Sequence, residues 1–109
     1  MISERQYGLI NTLYHCAVAC NHCISACLAE KDVSKMTDCI RLDMDCAEIC
    51  CLLASFIAKD SMHANHLLHE CAEICEACAE ECEKHSHLEH CRACAEACRH
   101  CVEACTQPV

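Results

Sequence analysis

An all-α, up-down-up-down antiparallel four-helix bundle with a cysteine-lined core is the fold predicted for this chain of 109 residues, and three observations predict it. The first is that 17 residues are cysteine and fall into runs: Cys16, Cys20, Cys23, Cys27; Cys39, Cys46, Cys50, with Cys51 beside it; Cys71, Cys75, Cys78, Cys82; and Cys91, Cys94, Cys98, Cys101, Cys105. In the first, third and fourth runs every step is three or four residues, which puts the thiols on one stripe of a helix with about 3.6 residues per turn. The second is missing punctuation. Gly8 and Pro108 are the lone glycine and proline, and Tyr7, Tyr14 and Phe56 are the aromatic residues, so the signals of sheets and hairpins are absent. The third is that every connection between the helical runs is short, which forces sequential helices antiparallel. The length suits one domain over residues 1–109 with a single modest core.

Helix 1 is expected from about residue 3 to 29, with Ser3 capping and Gln6 reaching back as in a capping box. Residues 30–33 form a short connection to helix 2, expected over about 34–58. Lys59, Asp60 and Ser61 then supply a polar turn and an N-cap for helix 3, expected over about 61–84. Ser86 followed by Glu89 reads as a second capping box opening helix 4, expected over about 87–105 and stopped by Thr106, Gln107, Pro108 and Val109.

Antiparallel order distinguishes the two ends of the bundle. Cys27, Cys39, Cys82 and Cys91 gather at one end with Met36, His85, His87 and His90, making it rich in soft ligands. At the other end Leu9 and Leu13 should meet Leu53, Phe56, Ile57 and Leu67 or Leu68, an apolar plug toward which Cys105 reaches.

Several function classes are disfavoured. The formal charge of −9 comes largely from carboxylates interleaved with the cysteines, as in the stretch Cys71 to Cys82, where they fall on the solvent face. No basic stripe exists to meet phosphates, so nucleic acid and anionic membranes are not expected partners. The first residues lack a basic segment followed by an apolar one, and no apolar run approaches the roughly 20 residues of a membrane span. The expected compartment is the cytosol, where thiols stay reduced. An odd cysteine count on one-faced helical stripes argues against a disulfide framework. No nucleophile–base pair or cofactor loop is visible, so no enzyme is expected.

The remaining chemistry is that of soft metals. Residues i and i+4 on a helix have Cβ atoms about 5–6 Å apart, close enough for two thiolates to grip one ion. Pairs such as Cys16/Cys20, Cys23/Cys27, Cys46/Cys50, Cys71/Cys75, Cys78/Cys82, Cys94/Cys98 and Cys101/Cys105 have that spacing, and i, i+3 pairs join them into ladders. Soft thiolates select Cu(I), Zn(II) or iron–sulfur clusters, and charge discriminates among them. One Cu(I) per doubly bridging thiolate leaves a nearly neutral core, whereas a zinc ion held by four thiolates carries about two excess negative charges. The expectation is a store of roughly 17 Cu(I) ions per chain. The alternative is a zinc or cadmium thiolate buffer for detoxification. Each loaded thiol must release a proton, so uptake should weaken in acid.

The chain also resembles the cytosolic copper storage proteins. The resemblance spans nearly the whole length and rests on Cys20-Asn-His-Cys23 with Cys27, on Cys39-Ile-Arg-Leu-Asp43 leading to Cys46-Ala-Glu-Ile-Cys50, on the run Cys71 to Cys82, and on His85-Ser-His87-Leu-Glu-His90-Cys91. It implies Cu(I) bound along the bundle interior, passage through an end bearing His or Met, and a homotetramer. A copper chaperone is a candidate partner. Similar members carry the ladder nearer the start of helix 1, where this chain has Leu9 and Leu13.

The candidate metal ligands are thus the cysteines named above, with His85, His87, His90 and Met36 at the mouth. Cys51 lies about 100° around the helix from Cys50, so packing at a flank competes with ligation. His15, His22, His63, His66, His69 and His100 fall beside or off the stripes, where surface roles are expected. Asp43 sits where the ladder calls for another thiol; it either faces the core as an acidic guide or tilts outward toward Arg41 or another cation.

Overall fold

The computed structural model describes residues 1–109. It contains four helices and no strand: α1 (Glu4–Leu28), α2 (Thr37–Ala58), α3 (Ala64–Glu83) and α4 (Glu89–Ala104), with a 3₁₀ turn over Val33–Met36 leading into α2. Each helix packs on its sequential neighbour, and α1 closes the ring against α4. The diagonal pairs bring no Cα atoms within 8 Å of each other. A square bundle results, 47 × 18 × 17 Å in extent, with its diagonal filled by side chains alone.

Local chemistry sets the helix ends. Ser3 and Gln6 form the expected capping box: the Gln6 amide donates to Ser3 Oγ at 3.1 Å, and the Ser3 amide donates to Gln6 Oε1 at 2.9 Å. α2 ends in a Schellman motif, in which Ser61 N–H donates to the Phe56 carbonyl and Asp60 N–H to the Ile57 carbonyl, both at 3.0 Å. Asp60 takes the left-handed conformation this motif requires, with φ 54°, a region short polar residues tolerate better than most. Ser61 is therefore part of the α2 ending. α3 begins at Ala64 with His63 before it, and Ser61 Oγ accepts only from the His63 amide, at 3.1 Å.

The second capping box is not formed. α4 begins at Glu89, and the extended residue before it is Leu88, which supplies no side-chain cap. Leu88 packs against the core, which draws the chain inward and leaves Ser86 outside the helix, its carbonyl accepting from Arg92 at 2.9 Å.

The core has two chemistries along its length. Leu13, Leu53, Ile57 and Leu68 are buried at one end, with Leu9, Phe56 and Leu67 half-buried around them, so the apolar plug exists. Beyond it every cysteine except Cys51 is buried. The carboxylates stay outside, and Arg99 ties α4 to α3 through Glu83 at 2.8 and 3.0 Å and Glu76 at 3.0 Å.

Candidate metal centre

Helical spacing brings one rail of thiols inward from each helix, and the square packing sets the rails face to face. Across α2 and α3, Cys46 Sγ lies 3.2 Å from Cys75 and Cys39 Sγ lies 3.4 Å from Cys82. Across α1 and α4, Cys94 and Cys20 are 3.8 Å apart, and Cys98 lies 3.9 Å from both Cys16 and Cys20. Cys50 meets Cys71 at 3.8 Å and Cys101 at 4.0 Å. These contacts organise into sets of four sulfurs, all within 4.8 Å of one another: Cys16/Cys46/Cys50/Cys75, Cys16/Cys20/Cys46/Cys98, Cys20/Cys78/Cys94/Cys98 and Cys50/Cys71/Cys75/Cys101. The sets share members, so a sulfur such as Cys46 or Cys50 belongs to more than one. An interior of this kind suits bridging thiolates better than isolated tetrahedral sites, in which each sulfur serves a single ion.

At the soft end His90 joins the thiols. Its Nδ1 lies 3.5 Å from Cys91 Sγ and 3.8 Å from both Cys23 and Cys27, and these four residues form another ligand set within 4.8 Å. Glu30 Oε2 lies 3.5 Å from His90 Nε2, although the alignment makes no hydrogen bond and leaves that buried nitrogen without a partner. An imidazole with one nitrogen toward soft ligands and a carboxylate behind the other has the arrangement common at metal-binding histidines. Glu30 went unnoticed in the sequence, because a lone acid in a loop carries no periodicity.

The other mouth residues stand farther out. Met36 is buried at the floor of a cleft of about 340 Å³, lined also by Glu30, Lys31, Lys35, His85 and His87. His85 pairs with Glu81 at 3.3 Å, and exposed His87 lies 6.4 Å from it between ring centres. The structure thus brings His90 to the thiols and holds His85 and His87 at the rim. Cys51 is exposed, in an apolar surface groove between α1 and α2 with Ile24, Leu28, Ile40, Met44 and Leu52, apart from the sulfur core. His15, His22, His63, His66, His69 and His100 are all exposed.

Asp43 points inward. It is fully buried; Cys78 and Cys94 donate to its Oδ1 at 3.1 and 3.2 Å, and Cys82 donates there at 3.8 Å. Burial, followed by the neighbouring Cys94 and Cys78 thiols, pushes its carboxyl up to about 11, so the empty core holds it neutral at pH 7. Burial likewise raises Cys27 to about 11 and pushes Cys91 upward, so these two mouth thiols of the empty protein are protonated at neutral pH.

A four-helix bundle whose axis is a continuous stack of thiols defines a class of proteins that hold soft metal ions in bulk. The sequence model of the copper storage protein family matches residues 2–109, and the chain belongs to that family. A cysteine-rich protein of Bacillus subtilis (strain 168), YhjQ, is 46% identical over 82 residues, covering 75% of each chain. The Cu(I)-bound copper storage protein BsCsp3 superposes with a TM-score of 0.88 at 42% identity, covering 94% of this chain and 95% of its own. A cytosolic copper storage protein from Streptomyces lividans, with five coppers, superposes with a TM-score of 0.90 at 42% identity, covering 94% of this chain and 89% of its own.

Proposed function

We propose that this chain stores Cu(I) in the cytosol, holding about one ion per buried cysteine through bridging thiolates and carrying out no catalytic turnover. The observation that carries this reading is the overlap of the four-sulfur sets, in which one sulfur stands within reach of two ion positions. Family membership and the Cu(I) named for BsCsp3 support the choice of metal. Each thiolate takes one positive charge, so a loaded core stays near neutral and avoids the cost of burying unpaired charge.

The mouth is the place where copper arrives, with Met36 and the rim histidines offering soft donors outside the ladder and His90 the first donor within it. A copper chaperone is the class of protein partner that suits such a mouth. The homotetramer is part of the same reading, and the apolar groove between α1 and α2 supports it; sedimentation of the reduced protein should give four times the chain mass, and a monomer would exclude it.

The test of storage is an anaerobic titration of the reduced protein with Cu(I) against a chromogenic Cu(I) chelator, with thiols counted in parallel. Uptake of about 16–17 equivalents before the chelator responds is expected for one-to-one bridging. Saturation at about four or five equivalents would sink it and point to separate four-thiolate sites of the kind zinc prefers.

A further inference from the structure

The end of the bundle opposite the mouth is closed by Leu13, Leu53, Ile57 and Leu68, yet the closure does not cover the last thiol. Cys105 stands at the C-cap of α4, where the helix stops, and 4% of it reaches the surface while Cys71 and Cys101 behind it reach none. Above it lies a cleft of about 310 Å³, lined by Asn65, Leu68 and His69 of α3 and by Thr106, Gln107 and Pro108 of the C-terminal tail. The tail forms the roof, and two long-range hydrogen bonds hold it. The Val109 amide donates to Asn65 Oδ1 at 3.0 Å, and the Arg5 guanidinium donates to the Pro108 carbonyl at 2.7 Å. Both bonds are exposed and lie beyond the last helix, outside the packed core, where local opening costs little.

Inward from Cys105 the buried thiols continue. Cys101 lies one helical turn before it, and Cys101 belongs with Cys50, Cys71 and Cys75 to one four-sulfur set. The cleft therefore leads to the stretch of the thiol core most remote from His90.

We propose that this cleft is a second port, gated by the C-terminal tail, through which Cu(I) carried by a small thiolate exchanges onto Cys105. The inference rests on the storage reading. The step is a ligand exchange: a Cu–S bond forms to Cys105, the Cu–S bond to the carrier thiolate breaks, and the Cys105 proton leaves on the carrier thiol. Copper stays Cu(I), and no electron is transferred. His69 lines the same cleft, a nitrogen donor of the type that suits the ion while the carrier departs.

Accessibility is tested without copper. The reduced full-length chain is alkylated with iodoacetamide under argon, and each cysteine is followed by peptide mass spectrometry, with exposed Cys51 as the internal reference. Two variants release the tail: Asn65→Ala, and deletion of residues 107–109. The expected result is that Asn65→Ala speeds Cys105 alone by about fivefold, the factor by which losing one hydrogen bond of ordinary net strength shifts an opening equilibrium, and that the deletion, which removes both bonds, speeds it by more. No acceleration, or equal acceleration of Cys71 and Cys101 as in general loosening, overturns the port. The second arm follows Cu(I) uptake from Cu(I)–glutathione by thiolate absorption in the ultraviolet. Tail release should speed the first equivalents by a similar factor, and Cys105→Ser should abolish the gain. Normal uptake with no effect of the tail overturns the port alone, whereas no uptake by the unaltered chain overturns the storage reading and the port with it.

Discussion

Asp43 occupies a ladder position, four residues after Cys39 and three before Cys46, so its candidacy was visible in the spacing. Which way it points was not, because the deciding partners are thiols on α3 and α4 that no local pattern reveals. Inside the core its carboxyl is raised from 3.8 to about 11. The folded state then binds a proton that the unfolded chain releases above pH 4, so Asp43 favours folding fully below the unfolded value and progressively less as pH rises toward the folded one. Asn in its place removes that dependence. The melting temperature of the copper-free protein should fall between pH 4 and 8 more steeply than that of Asp43→Asn, and parallel curves from calorimetry would refute the buried neutral acid. His90 falls at the soft end by its place in the chain, but the approach of Glu30 to it depends on a loop meeting the start of α4 in space. His90→Ala should weaken binding at the mouth set by about tenfold or more while total capacity stays within one equivalent, as read by chelator competition.

Among the elements, helix identity followed directly from the thiol period, whereas helix starts depended on tertiary packing. Ser86 and Glu89 have capping-box spacing, yet Leu88 buries itself on the core and takes the extended position before α4. Ser61 was expected to open α3 and instead completes the Schellman ending of α2. In both places a hydroxyl near a helix start was a sound signal in a window that several backbone paths could satisfy. The plug was legible because leucine and isoleucine replace cysteine at the same helical period. Small sulfur side chains bury little hydrocarbon, so these few residues carry a large share of the stability of the empty bundle. Leu13→Ala should destabilise the copper-free protein by about 2–5 kcal/mol in urea unfolding, and a loss below about 1 kcal/mol would show that the sulfur core holds the helices by itself.

For the molecule as a whole, topology followed from short connections, and the difference between its two ends from antiparallel order. Contacts between distant segments, such as the tail on Asn65 and Arg99 on Glu83, left no trace in the sequence because single polar pairs have no period. The interior also couples copper to acidity. Burial holds Cys27 at about 11 and raises Cys91, so each ion that binds there must displace protons. Lowering the pH from about 7.5 to 5.5 should weaken Cu(I) binding by about tenfold per pH unit for each proton displaced, and pH-independent affinity would contradict protonated Cys27 and Cys91. The same geometry governs how the empty protein meets oxygen. A disulfide needs Cβ atoms about 3.5–4.5 Å apart, and neighbours along one helical rail stand at about 5–6 Å, too far to join without unwinding. The rails are thus protected from oxidative cross-linking by their own pitch. The rungs lack that restraint, above all Cys46–Cys75 at 3.2 Å and Cys39–Cys82 at 3.4 Å, where buried sulfurs of different helices already touch. Air should damage the unfilled container by stitching α2 to α3, and a metal ion held in those rungs would act as their antioxidant.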